Sequence, residues 1–115
     1  MKPDADADKA LVAHMQECLS RIAEYTGHER ARFDASRMVQ DAVIRNLQTL
    51  AESSQRLSDP IKASEPLMPW RELAGFRNVL VHGYLGIDTA AVWSVVEHDL
   101  AALTAALDRM SKHRA

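Results

Sequence analysis

The sequence predicts an all-α protein, an antiparallel up-and-down bundle of four main helices, on three observations. Apolar residues recur at spacings of three and four along the whole chain, the period of a helix and not of a strand. Glycine and proline number only four each in 115 residues, too few for an all-β chain that must turn every ~8–12 residues. The apolar runs are joined by short connections, as neighbouring helices in a bundle are.

In the first segment the stripe is Leu11, Met15, Cys18, Ile22 and Tyr25, with Asp6 or Asp8 suited to cap its start and Gly27 to end it. The second segment is expected to start at Asp34 as N-cap. Its stripe is Val39, Val43, Leu47, Leu50 and Leu57, interrupted by Ser54. It should stop near Ser58-Asp59-Pro60, because proline disfavours helix in the residue before it. Residues 58–69 hold three of the four prolines and read as a loop. Pro69 suits the first position of a third, shorter helix over Trp70–Val81. Gly83 and Gly86 bracket a break. Asp88 or Thr89 then caps a fourth helix with the stripe Val92 or Trp93, Val96, Leu100, Leu103, Leu107 and Met110. Lys112, His113 and Arg114 at its end complement the helix dipole.

Length and composition suit a single domain over residues 1–115, with residues 1–7 expected to lie outside the ordered fold. Hydrophobic residues make up 47% and charged residues 26%, the balance of a globular protein. The formal net charge of −2 excludes a general polyanion binder, so any contact with nucleic acid must come from a local patch. Cys18, the single cysteine, can form neither an internal disulfide nor a thiol cluster. The acidic start of the chain lacks the apolar core of a signal peptide. No apolar stretch approaches the ~18–20 residues that cross a bilayer. A cytoplasmic location with no membrane association is the expectation. His14, His28, His98 and His113 share no metal-ligand spacing and read as surface or packing residues; no metal and no cofactor is expected. Met15, Met38 and Met110 read as core filler.

One segment breaks the apolar-in, polar-out rule. At ~100° per residue, Trp70, Leu73, Phe76, Leu80 and Val81 share one side of the third helix, and Arg77 lies among them. A guanidinium in an apolar stripe costs stability unless a partner satisfies it, and such conflicts tend to mark functional sites. Snorkelling or a buried carboxylate partner would also account for it. His82 lies about 140° from Arg77 on a regular helix, so the two side chains would not share a face. Asn78 and His82, four apart, would be neighbours. Two arrangements reunite Arg77 and His82: the helix unwinds before Gly83, or a second copy of the chain brings its own pair into a shared cleft. Taken alone, a histidine at a helix C-terminus is also a favourable dipole contact.

The run Arg77-Asn78 with His82 and Tyr84 resembles the catalytic signature of the HEPN superfamily, and more narrowly that of the HepT toxins of prokaryotic toxin–antitoxin pairs. The resemblance extends over about residues 10–108. Ile22-Ala23-Glu24-Tyr25-Thr26 followed by Phe33 is similar to the end of that family's first helix. Asp41-Ala42-Val43-Ile44-Arg45-Asn46-Leu47 is similar to its second, Pro66-Leu67-Met68-Pro69-Trp70 to the start of its third, and Asp88 with Val92-Trp93 to its fourth. Where the family carries Gly-Glu-Ala, this chain has Ala51-Glu52-Ser53, keeping the glutamate and changing its small neighbours.

The resemblance implies a HEPN-like homodimer that cleaves RNA without a metal, with two signatures facing each other. RNA carries its own nucleophile, the 2′-hydroxyl. His82 would take that proton or protonate the leaving oxygen, a role suited to an imidazole. Arg77 would hold the phosphate and offset charge in the transition state. Asn78 would orient the histidine or the helix end, and Arg45 and Arg71 would add phosphate contacts. The resemblance also implies a type VII-like toxin–antitoxin pair. Its partner would be a minimal nucleotidyltransferase antitoxin of the MntA type that attaches AMP to Tyr84 and so blocks the cleft. The competing reading is a non-catalytic helical partner of such a transferase. Glu52 is an attractive partner for Arg77 by family, yet counting places it on the polar side of the second helix, facing either a dimer or solvent.

Overall fold

The structure, a computed structural model, describes residues 5–83 and 85–112. Among them the regular elements are all helices: α1 (Ala5–Thr26), α2 (Arg30–Ala35), α3 (Arg37–Arg56), α4 (Asp59–Ala63), α5 (Trp70–His82), α6 (Thr89–His98) and α7 (Leu100–Lys112).

The helix α1 starts earlier than expected, so residues 5–7 are helical and both Asp6 and Asp8 lie inside it instead of capping it. Asp8 is buried and serves a longer-range purpose. Its carboxylate accepts the Ser58 N–H at 2.9 Å and the Ser58 hydroxyl at 2.5 Å, tying the start of α1 to the chain just beyond α3. Gly27 ends α1 as the spacing predicts. Its φ of +58° lies in the left-handed region that side chains disfavour, and its N–H donates to the Ala23 carbonyl at 2.8 Å.

Asp34 does not cap the second long helix. It falls inside the short α2, which docks the fully buried Phe33, and the chain then straightens at Ser36. Ser36 is the true N-cap of α3, its hydroxyl accepting the Val39 N–H at 3.2 Å. Residues 58–69 are not all loop either. Pro60 in the first turn, where its missing N–H is not needed, allows the single turn of α4.

The expected fourth helix is two. Asp88 caps α6 by accepting the Ala90 N–H at 3.0 Å, but the axis bends by 47° between α6 and α7. The bend has a packing cause. Val92 and Trp93 of α6 join Phe33, Ile22, Val43, Leu47 and Leu80 in one apolar cluster. Leu103, Leu107 and Met110 of α7 join Val12, Met15, Leu50 and Leu57 in another. A straight helix would serve one cluster at the expense of the other.

Between them α1 and α3 form the most extensive helix pair, and α5 packs on α3. Both pairs run antiparallel: the start of α1 meets the end of α3, and later residues of α5 meet earlier residues of α3. Among the described residues no buried side-chain nitrogen or oxygen lacks a partner. Burial pushes the Cys18 thiol up from its ordinary value, against the opposing charge of Arg21, so it stays a protonated core group. No single helix among the described residues is long and apolar enough to cross a membrane.

Candidate active site

The helix α5 is fixed at its start by Trp70, whose indole N–H donates to the Lys62 carbonyl at 3.1 Å. Trp70 and Leu73 then pack on the first apolar cluster, Phe76 packs on the second, and Leu80 lies fully buried within the second. This anchoring leaves Arg77 on the seam between α5 and α3. There its Nε and Nη2 both donate to Oε1 of Glu52, at 3.3 and 3.2 Å, and its Nη1 donates to Oδ1 of Asn78 at 3.3 Å.

At Glu52 the polar side of α3 therefore faces α5. The pair is only half-buried, with side chains 30% and 45% exposed for Arg77 and Glu52. Its net contribution to stability is about 0–1 kcal/mol, the range of solvent-accessible ion pairs. Its main effect is positional. One edge of the guanidinium is held while part of the group stays open to solvent.

His82 is the last residue of α5 and is exposed. Its ring makes no hydrogen bond or ion pair among the described residues, and Asn78, four residues earlier, is engaged with Arg77 instead. The helix does not unwind before Gly83: the Gly83 N–H still donates to the Val79 carbonyl at 2.9 Å. Arg77 and His82 consequently leave α5 on different sides, as a regular helix requires. Tyr84 lies outside the described residues.

Two residues of the site escaped the sequence reading. Gln48 donates from its amide to the Leu80 carbonyl at 3.2 Å. That carbonyl belongs to the last turn of α5, where helical acceptors lose their partners, so α3 caps the end of the helix that bears His82. The signal was present: Gln48 precedes Glu52 by four, one turn along the same edge. The second residue is Gly83, where a β-carbon would lie 2.7 Å from the Val79 carbonyl oxygen. Only glycine fits that turn. Beyond it, Leu85 is 90% exposed, and Val79 on the outer face of α5 is 60% exposed.

Arg45 and Arg71 are both exposed and form no ion pair among the described residues. No three His, Cys, Asp or Glu side chains cluster as a metal centre would require among those residues. A groove of about 500 Å³ lies elsewhere, walled by Leu19, Ile22, Trp93, Val96 and Leu100, and its lining includes none of Arg45, Arg71, Arg77 and His82.

Residues 15–110 match the family described as Ribonuclease HepT-like. The chain belongs to that family. Among its relatives, a Thermococcus cleftensis protein provisionally named ribonuclease HepT is 34% identical over 105 residues, 90% of this chain and 96% of that one. A Methanocaldococcus jannaschii protein provisionally named an RNase is 32% identical over 93 residues, 80% of this chain and 85% of that one. A similar protein of Caldanaerobacter subterraneus, also provisionally named an RNase, is 26% identical over 89 residues, 77% of this chain and 80% of that one. No solved structure matches. As a HepT-like protein the chain is assigned ribonuclease activity and RNA as its substrate.

Proposed function

We propose that this HepT-like chain is the toxin half of a toxin–antitoxin pair, acting as a metal-independent endoribonuclease. Its active site would be assembled from two copies, and modification of Tyr84 would silence it. The observation that carries the reading is the divergence of Arg77 and His82. Arg77 is held on the α3–α5 seam by Glu52, while His82, at the end of a regular helix, is exposed and has no hydrogen-bond or ion-pair partner among the described residues. One chain thus offers half of a site, and a two-fold axis near the exposed Val79 would bring the halves together.

In such a cleft Arg77 holds the scissile phosphate through its open edge and offsets the charge that builds on it. One His82 takes the proton of the 2′-hydroxyl as the O2′–P bond forms, or a His82 delivers a proton to the 5′-oxygen as the P–O5′ bond breaks. Neither step draws on a metal ion. The antitoxin, a nucleotidyltransferase, would join the Tyr84 hydroxyl to the α-phosphorus of ATP, releasing pyrophosphate. A nucleotide beside the cleft then excludes and repels the RNA backbone.

Wild type and His82→Ala are compared for RNA cleavage and growth arrest without the partner. His82→Ala is expected to lose about 10²–10⁴-fold in cleavage rate, the usual contribution of a general acid–base group. Equal cleavage by both would end the assignment. Co-expression with the transferase should add AMP-sized mass steps that vanish in Tyr84→Phe; steps that survive the substitution would exclude Tyr84.

A further inference from the structure

The register of α3 on α5 separates Arg45 from Arg71. Glu52 meets Arg77 and Gln48 meets the Leu80 carbonyl, so each step back along α3 matches a step forward along α5. Arg45 lies three residues before Gln48, about 4.5 Å further along at 1.5 Å per residue. The same distance beyond Leu80 on α5 reaches Gly83, next to His82. Around α3, Arg45 is only about 20° from Glu52 and about 60° from Gln48, so it emerges on the seam edge. Arg71 is different. It lies about 9 Å before Arg77 on α5 and about 120° around it, off the seam; it shares the side of α5 that bears His82, but about 16 Å before it along the axis.

The charge on Arg45 is unspent. Glu52 offsets Arg77, and Gln48 already fills the Leu80 carbonyl in the last turn of α5. The Arg45 guanidinium is exposed and has no ion pair or side-chain hydrogen bond among the described residues, even with Asp41 one turn before it. The seam therefore carries two guanidiniums about 10 Å apart along its length, one pre-positioned by a carboxylate and one without a side-chain partner among the described residues.

We propose that Arg45 binds a backbone phosphate of single-stranded RNA adjacent to the one held by Arg77, and that Arg71 makes no such contact. The inference rests on the ribonuclease site being the Arg77–His82 cleft. A second phosphate contact makes the enzyme favour an oligonucleotide over a single phosphodiester, because each neutralised phosphate adds counterion release.

The test uses the full chain carrying His82→Ala, which keeps RNA intact, and a fluorescein-labelled single-stranded RNA read by anisotropy at several salt concentrations. Adding Arg45→Ala should weaken binding about tenfold and make the slope of log K against log[salt] shallower by ~0.7, the value for one phosphate contact on a single strand. Arg45→Lys should keep the slope, and Arg71→Ala should change neither quantity. In the otherwise wild-type enzyme Arg45→Ala should raise KM for an oligonucleotide about tenfold, leave kcat within about twofold, and spare a dinucleotide. An unchanged salt slope overturns the proposal, as does an equal loss on the dinucleotide, which would put Arg45 on the scissile phosphate itself. Cleavage that survives His82→Ala would instead overturn the underlying ribonuclease site, and the binding slope would still judge Arg45.

Discussion

Trp70, Leu73 and Phe76 turn the first half of α5 into the core, whereas Asn78, Val79 and His82 turn its last turns outward. Leu80 is the one fully buried side chain of that second half. The inward half settles where Arg77 must lie, and Glu52 settles how it points. The outward half does the opposite: it displays an imidazole beside exposed apolar groups at Val79 and Leu85. A complete catalytic site usually surrounds its reactive group to exclude water. Here Glu52 and Asn78 of this chain hold the guanidinium of the inward half, while the outward half leaves His82 exposed; under the proposed function a second copy would cover it.

Four experiments bear on that contrast. The largest effect is expected from mixing two dead variants, Arg77→Ala and His82→Ala. If the site is shared, random pairing gives half mixed dimers with one intact site in two, so cleavage should return to about a quarter of wild type. No recovery after co-refolding would mean that each chain completes its own site. Next, Leu80→Ala removes the buried anchor of the outward half and should cost about 2–5 kcal/mol in urea unfolding. A loss below about 1 kcal/mol would show that the end of α5 is not held by packing. Gly83→Ala drives a β-carbon into the Val79 carbonyl oxygen; about 1–3 kcal/mol of destabilisation is expected, the usual range for overpacking. The smallest effect lies far from the site. Arg109 donates to both carboxylate oxygens of Glu65, and these bonds hold the Glu65 carboxyl below its ordinary value of 4.5. The pair therefore adds stability above that pH, and the benefit fades as pH falls through the lowered value. Thermal melts of Glu65→Gln should differ from wild type at pH 7 and converge with it in acid; a constant gap would refute the linkage.

Much of the scaffold was legible because period alone encodes it. The stripes of α1, α3 and α5, the Asp88 cap and the glycine stop at Gly27 all follow from residue type and spacing. The position of Arg77 in an apolar stripe was legible for the same reason. Its partner was not, because α3 has two working faces. Val43, Leu47 and Leu50 advertise the apolar one, while Gln48 and Glu52 look like a solvated edge until α5 is laid against them. The misplaced cap has a local cause: Asp34 and Ser36 are both good N-cap types, and only the docking of Phe33 decides between them. The bend between α6 and α7 carries no proline or glycine to announce it; it is imposed by two apolar clusters that a single straight helix cannot reach together.

That division of the core gives the molecule two built-in optical reporters. Its two tryptophans fall one to each cluster. Trp70 leans on the first and bonds the Lys62 carbonyl, while Trp93 is buried in the second, 5.4 Å from the Phe33 ring, and bonds Glu97 at 2.7 Å. Replacing either with phenylalanine leaves a single tryptophan, whose emission colour, excited selectively over the tyrosines, follows one cluster alone. Comparing the two melting curves would then tell whether the part of the molecule beneath Leu80 and His82 loosens before the rest.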